Sequence, residues 1–220
     1  MKLDEEVFKK WISWAKDIKN DLRNIVGNQQ TFLGFTEVVQ ANWEHIKRHN
    51  GVRFCYFVRT CYGVQAAMGI RRHLKTNPDS ISLLQLIEQI AKYANQFTYD
   101  FYISQYPIDK SYINWQEATF SQFSHDGKVI SEDIIEADLK NASDLGEQIE
   151  SFVDRVLAHL DRRGWDGQVT YEDLELMIKH FDDLVCKYLT LMTAEGYSTL
   201  ESAIQYDWKA IFRVPLDIRK

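Results

Sequence analysis

An all-α fold, an up-and-down helical bundle with a small β-hairpin insert, is what this chain predicts, on three observations. Only three prolines and ten glycines interrupt 220 residues, too few breakers for a many-turned β architecture. Apolar residues recur at three- and four-residue steps through most of the length, the period of a helix face. Stop and cap signals fall between those stretches rather than within them. No repeat, low-complexity tract or linker divides the chain, so a single domain over 1–220 is expected, long enough for one generous core.

The first amphipathic stretch covers residues 4–26, with Val7, Phe8, Trp11, Ile12, Ala15, Ile18, Leu22 and Ile25 on one face and Gly27-Asn28 as its stop. A second follows from about Gln30 to His49 through Phe32, Phe35, Val38, Val39, Trp43 and Ile46, ending at Asn50-Gly51. The third, Val52 to Lys75, is the most apolar, which places it at the centre of the bundle. Its end carries Arg71, Arg72, His73 and Lys75, the sign of charge a helix C-terminus favours. Ser82, three before Gln85, reads as a capping box for a fourth helix to about Asn95.

Periodicity weakens over 97–143, the insert. FTYDFYISQY reads as helical before Pro107, and Asp126-Gly127 between TFSQF and KVI is a hairpin signal. Asp144 then opens a helix through Ile149, Phe152, Val153, Val156, Leu157 and Leu160, closed by Gly164. Thr170 with Asp173 caps a last long helix from Leu174 to Met192, ended by Gly196. The tail, 197–220, starts like a short helix and ends as an extended strip containing Pro215.

A net charge of −6 argues against a protein that coats duplex nucleic acid, although a local basic cleft stays compatible with it. Cys55, Cys61 and Cys186 form no C-x-x-C pair, so neither a disulfide framework nor a zinc site is expected, and three reduced thiols fit a reducing compartment. The first twenty residues lack the apolar core of a signal peptide, and no stretch reaches membrane-spanning length. A cytoplasmic location without membrane contact is the expectation. No E-x-x-H pair, glycine-rich phosphate loop or G-x-S-x-G elbow occurs, so no metal or cofactor is expected.

The candidate chemistry lies in SFVDRVLAHLDRRG. On a regular helix, at 100° per residue, Arg155, His159 and Arg162 line up beside the apolar stripe, and Asp154 and Asp161 share the other flank. Phosphodiester cleavage needs a proton-transfer group, which a neutral imidazole supplies, and fixed positive charge on the phosphoryl oxygens, which guanidinium supplies. The plain alternative is a solvated His on a charged helix end. Arg71 and Arg72 are secondary phosphate candidates, with the helix-dipole explanation beside them.

The run from Val153 to Asp161, VDRVLAHLD, resembles the R-N-K-x-x-A-H-x-D segment of the HEPN superfamily. Over roughly residues 10–195 the layout is similar to the abortive-infection-like branch: an apolar helix ending in R-R-x-L-K, a Ser-Ile-Ser-Leu-Leu helix start, then a late A-H-x-D. The resemblance implies a dimerising helical bundle with a metal-independent ribonuclease site at the dimer cleft, in phage defence or a toxin–antitoxin pair. RNA or a nucleotide and an antitoxin protein are the partners it implies. His159, Arg155 and Asp154 would be catalytic, with Arg162, Asp161, Arg71 and Arg72 binding. Val153 stands where the motif has its Arg, and only three residues separate Arg155 from His159. Either Arg155, Arg162, Arg59, Arg71 or Arg72 takes over the charge, or the fold serves as a non-catalytic interaction module.

Overall fold

The computed structural model describes residues 3–106, 113–159, 161–162, 164–193, 195–203 and 207–213, with residues 113 and 114 described in backbone alone. It is an all-α helical bundle. Helix α1 spans Glu5–Ala41, α2 Trp43–Arg48, α3 Val52–Leu74, α4 Leu83–Lys92, α5 Tyr99–Ser104, α6 Ile113–Ser121, α7 Glu132–Phe152 and α8 Tyr171–Thr193. Short 3-10 turns lie at Ala94–Gln96 and Trp208–Phe212, and a π-turn at Val153–Leu157 follows α7. The core forms where α1 packs on α8, α3 and α4, and where α7 packs on α3, α4 and α8.

The predicted stop at Gly27-Asn28 is not used: α1 runs through it to Ala41, and the rest of the second predicted helix is the separate α2. Asp4 starts α1, its Oδ1 accepting from the N–H groups of Glu6 at 3.1 Å and Val7 at 3.0 Å. Phe8, Trp11, Ala15, Ile18, Leu22 and Ile25 are buried, and beyond Gly27 the same face continues with Phe32 and Phe35. A helical glycine costs about 1 kcal/mol, whereas burying a phenylalanine returns roughly 1.5–3 kcal/mol. Two phenylalanines in phase with Ile25 therefore outweigh the stop signal. The chain turns at Asn50, whose φ of 58° is left-handed, a conformation Asn tolerates better than most residues.

Helix α3 is not the enclosed centre that its composition suggests. Cys55, Tyr62, Ala66, Gly69 and Ile70 pack inward, while Phe54, Tyr56, Phe57, Val64 and Met68 are exposed. The Thr170–Asp173 box forms as read, the two exchanging side chain-to-backbone bonds at 2.8 and 3.2 Å, whereas at Ser82 only the N-cap half forms, Oγ accepting from the Gln85 N–H at 3.1 Å while Gln85 Oε1 has no partner among the described residues.

The predicted hairpin is absent; among the described residues the β pairing is one isolated antiparallel bridge between Thr98 and Val129. TFSQF belongs instead to α6 and its exit, because Phe120 and Phe123 are both buried, a spacing that suits a helical face. Asp126-Gly127 still turns the chain, with Asp126 Oδ1 accepting from the Lys128 N–H at 2.8 Å and Gly127 at φ 70°. Helix α7 begins at Glu132, twelve residues before the predicted Asp144, since Ile135 and Ala142 already face the core. An aromatic cluster closes that end of the bundle, with Phe8 edge-on to Phe97 at 5.7 Å and Phe101 at 5.5 Å. Pro107, Leu160 and the tail from 214 lie outside the described residues.

Candidate functional site

Two helix ends meet at the segment singled out by sequence. Gly146 lets α7 approach the last turn of α3, since a Cβ there would sit 2.4 Å from Leu74 Cδ1. Side chains of the two helices then interlock: Arg71 donates from Nε to Asp154, Lys75 donates to Glu150, and Lys75 Nζ also reaches Asp154 Oδ2 at 3.3 Å. Burial disfavours the charged form of Asp154, but the hydrogen bonds and charges of Arg71 and Lys75 outweigh it and hold the carboxyl below its usual range. The hydrogen bond to Glu150 is the main reason that the Lys75 ammonium is pushed upward. Asp154 is thus committed to this four-residue ion cluster.

The cluster anchors a break in the helix. After Phe152 the backbone winds one residue wider, the Ala158 N–H bonding to the Val153 carbonyl at 2.8 Å. Such π-turns occur often at functional sites. Val153 stays fully buried as the last residue of the core stripe. Beyond it the predicted continuation through Val156 and Leu157 does not stay in the core: Val156 is exposed and Leu157 only half-buried. Trp165 folds back instead, its ring 5.2 Å from that of Phe152, and Gly167 passes beneath the indole where a Cβ would lie 2.4 Å from Cζ2.

This break corrects the predicted alignment. Arg155 is in the π-turn, and His159 and Arg162 are past the helix, so the three do not share a helical face. Beyond the π-turn the chain closes back on it instead. The Asp161 N–H donates to the Arg155 carbonyl at 3.1 Å, and the Gly164 N–H to the Asp161 carbonyl at 3.0 Å, closing the segment that carries His159. Arg155, His159 and Arg162 are all exposed, and among the described residues none of the three has a side-chain hydrogen bond or ion pair.

The secondary phosphate candidates are occupied. Arg71 holds Asp154, and Arg72 donates to Asp21 Oδ2 from Nη2 at 2.6 Å and Nε at 3.0 Å. His73, read from sequence as part of a basic helix end, is buried. Its Nδ1 accepts from the Leu83 N–H at 3.3 Å, so Nε2 carries the hydrogen and donates to Asp21 Oδ2 at 2.8 Å. That hydrogen bond is the largest influence drawing the Asp21 carboxyl below its usual range. Sequence reasoning missed this clasp between α1, α3 and α4. Its one available signal was that His73 falls three residues after Ile70 on the buried side of α3.

No family model, curated protein or solved structure matches the chain. The site therefore stands on its own chemistry. Among the described residues no group of three or more His, Cys, Asp or Glu side chains is placed to hold a metal ion. No helix among them is long and apolar enough to cross a membrane. What the corner offers, among the described residues, is two guanidinium groups without a side-chain partner and an imidazole, all exposed within eight residues of chain.

Proposed function

We propose that this chain is a HEPN-like, RNA-directed protein of a defence or toxin–antitoxin system, acting without a metal. The supporting observation is the segment closed by the Asp161-to-Arg155 backbone bond, on which Arg155, His159 and Arg162 are exposed and, among the described residues, without a carboxylate partner. Arg155 and Arg162 hold the phosphodiester and offset charge that builds on its oxygens. His159 is the proton-transfer group, taking the proton of an attacking 2′-hydroxyl and returning one to the departing oxygen. Asp161 lies on the same loop. Asp154 serves the ion cluster behind the loop rather than the imidazole. Single-stranded RNA is the preferred ligand, because a protein of net charge −6 captures nucleic acid at one local site rather than along a face.

The test is cleavage and binding of single-stranded RNA in EDTA. The wild type cleaves; His159→Ala binds without cleaving; Arg155→Ala/Arg162→Ala loses cleavage and binds more weakly. Cleavage that survives His159→Ala, or a wild type that neither binds nor cleaves, overturns the proposal.

A second reading, a non-catalytic homodimeric interaction protein, is favoured by a different observation. Arg71 and Arg72 are neutralised in their own chain, while the outer face of α3 is apolar and open.

A further inference from the structure

Helices α1 and α3 pack closely over part of their length and leave a gap beyond it. A Cβ on Gly69 would lie 2.7 Å from Ile25 Cδ1, and further along Phe32 stacks on Tyr62 at 3.9 Å. In the next two turns of α3, Cys55 and Arg59 share with Phe35, Val39 and Trp43 a cavity of about 340 Å³. A second cavity of about 330 Å³ has Phe35, Val39 and Cys55 in common with the first and adds Ile46, Phe54 and Phe212. Phe212 is brought there by the last 3-10 turn, which seats Trp208 against Gly34 and pairs Lys209 with Glu37 at 2.7 Å. The joined cavities form a trough with mostly aromatic and aliphatic walls, of the size that small-molecule sites take, roughly 300–1,000 Å³.

Charge selects the occupant. Arg59 is the one residue lining either cavity that carries a fixed charge. Its carbonyl accepts from the Tyr171 hydroxyl at 3.0 Å and its guanidinium lies 4.9 Å over the same ring. Among the described residues it has no carboxylate partner. Glu37 and Glu44, the carboxylates flanking the α1 wall, pair with Lys209 and Lys47 instead.

A single guanidinium beside an apolar trough suits a monoanion with an apolar body, and its planar fork matches a carboxylate. We propose that the trough binds a carboxylate on an unbranched alkyl chain. The head group sits on Arg59, and the chain runs past Phe35, Val39 and Cys55 towards Phe212. Arg71, which holds Asp154, is sixteen residues along α3 from Cys55, roughly 24 Å on a helix, so this site is separate from the RNA-directed one.

Calorimetric titration of decanoate, below its micelle concentration, into the full chain tests this. It is compared with Arg59→Gln and with Arg53→Gln, an exposed arginine of α3 that lines neither cavity. Both variants change exposed side chains and keep the wild-type circular dichroism. Wild type and Arg53→Gln bind decanoate alike. Octanoate, two methylenes shorter, binds wild type about 15-fold more weakly, since each buried methylene is worth about fourfold. In Arg59→Gln the preference for decanoate over decanol falls about tenfold or more. A preference unchanged in Arg59→Gln, or reduced equally in Arg53→Gln, overturns the proposal. So does a wild type that does not bind decanoate, its trough closed or filled by another part of the chain.

Discussion

Asp154→Ala separates two roles for one carboxylate. An Asp that orients His159 would, when removed, cost activity and leave stability unchanged. The structure gives it Arg71 and Lys75 as partners, with side chains 37%, 32% and 36% exposed respectively. An exposed ion pair contributes roughly 0.2–1 kcal/mol and breaking a buried one costs about 3–5 kcal/mol. A cluster with about a third of its surface open lies between, so Asp154→Ala should cost ~1–2 kcal/mol, near the low end because solvent screens it. For a chain of 220 residues that is a fall in melting temperature of about 3–6 °C. Urea unfolding followed by circular dichroism measures it, and a cycle with Arg71→Ala should show coupling of about 1 kcal/mol. The carboxyl is held below its ordinary 3.8, so its stabilisation is present above that value and disappears as pH falls through the lower folded-state value. The gap between wild type and Asp154→Asn should therefore narrow in acid. A variant as stable as wild type that has lost RNA cleavage would refute this assignment.

Three further outcomes follow from single residues. In urea titrations Asp21→Asn should lose stability at pH 6, and that loss should shrink as pH falls below 3.8, because the His73 hydrogen bond draws the Asp21 carboxyl below that value and its contribution is lost on protonation; a loss that stays constant into acid would contradict the clasp. Gly127→Ala should cost about 1–2 kcal/mol through backbone strain, since φ is +70° and its Cβ would meet nothing within 4 Å; an unchanged thermal midpoint would count against the left-handed turn. Burial pushes the Cys186 thiol up to about 12, with Asp182 adding to the effect, so iodoacetamide at pH 8 should spare it in the folded chain and label it in urea.

Much of the fold was legible because helix periodicity is local. The apolar face of α8, the caps at Ser82 and Thr170, and the left-handed stop at Asn50 each depend on residues within one or two turns. Failures came where distant packing decides. Gly27 does not end α1 because Phe32 finds Tyr62, stacked at 3.9 Å, a partner thirty residues away in sequence. The Asp126-Gly127 turn was legible, but the hairpin was not made, because the burial of Phe120 and Phe123 claims the preceding strand for α6. In the candidate site, Arg155, His159 and Arg162 were identifiable by type, yet their arrangement was not. A π-turn changes the angle per residue, and nothing in VDRVL announces it. The pairing of Arg71 with Asp154 and of His73 with Asp21 spans 83 and 52 residues; only the packed structure brings those charges together.

The salt dependence of RNA binding tests the central claim most directly. Each phosphate that a protein cation neutralises on a single strand contributes about 0.7 to the slope of log K against log salt. Wild type should bind single-stranded RNA with a slope that falls by about 1.4 in Arg155→Ala/Arg162→Ala. Arg71→Ala, removing a cation already held by Asp154, should leave the slope unchanged. Equal slopes for wild type and the Arg155/Arg162 double variant would contradict the account.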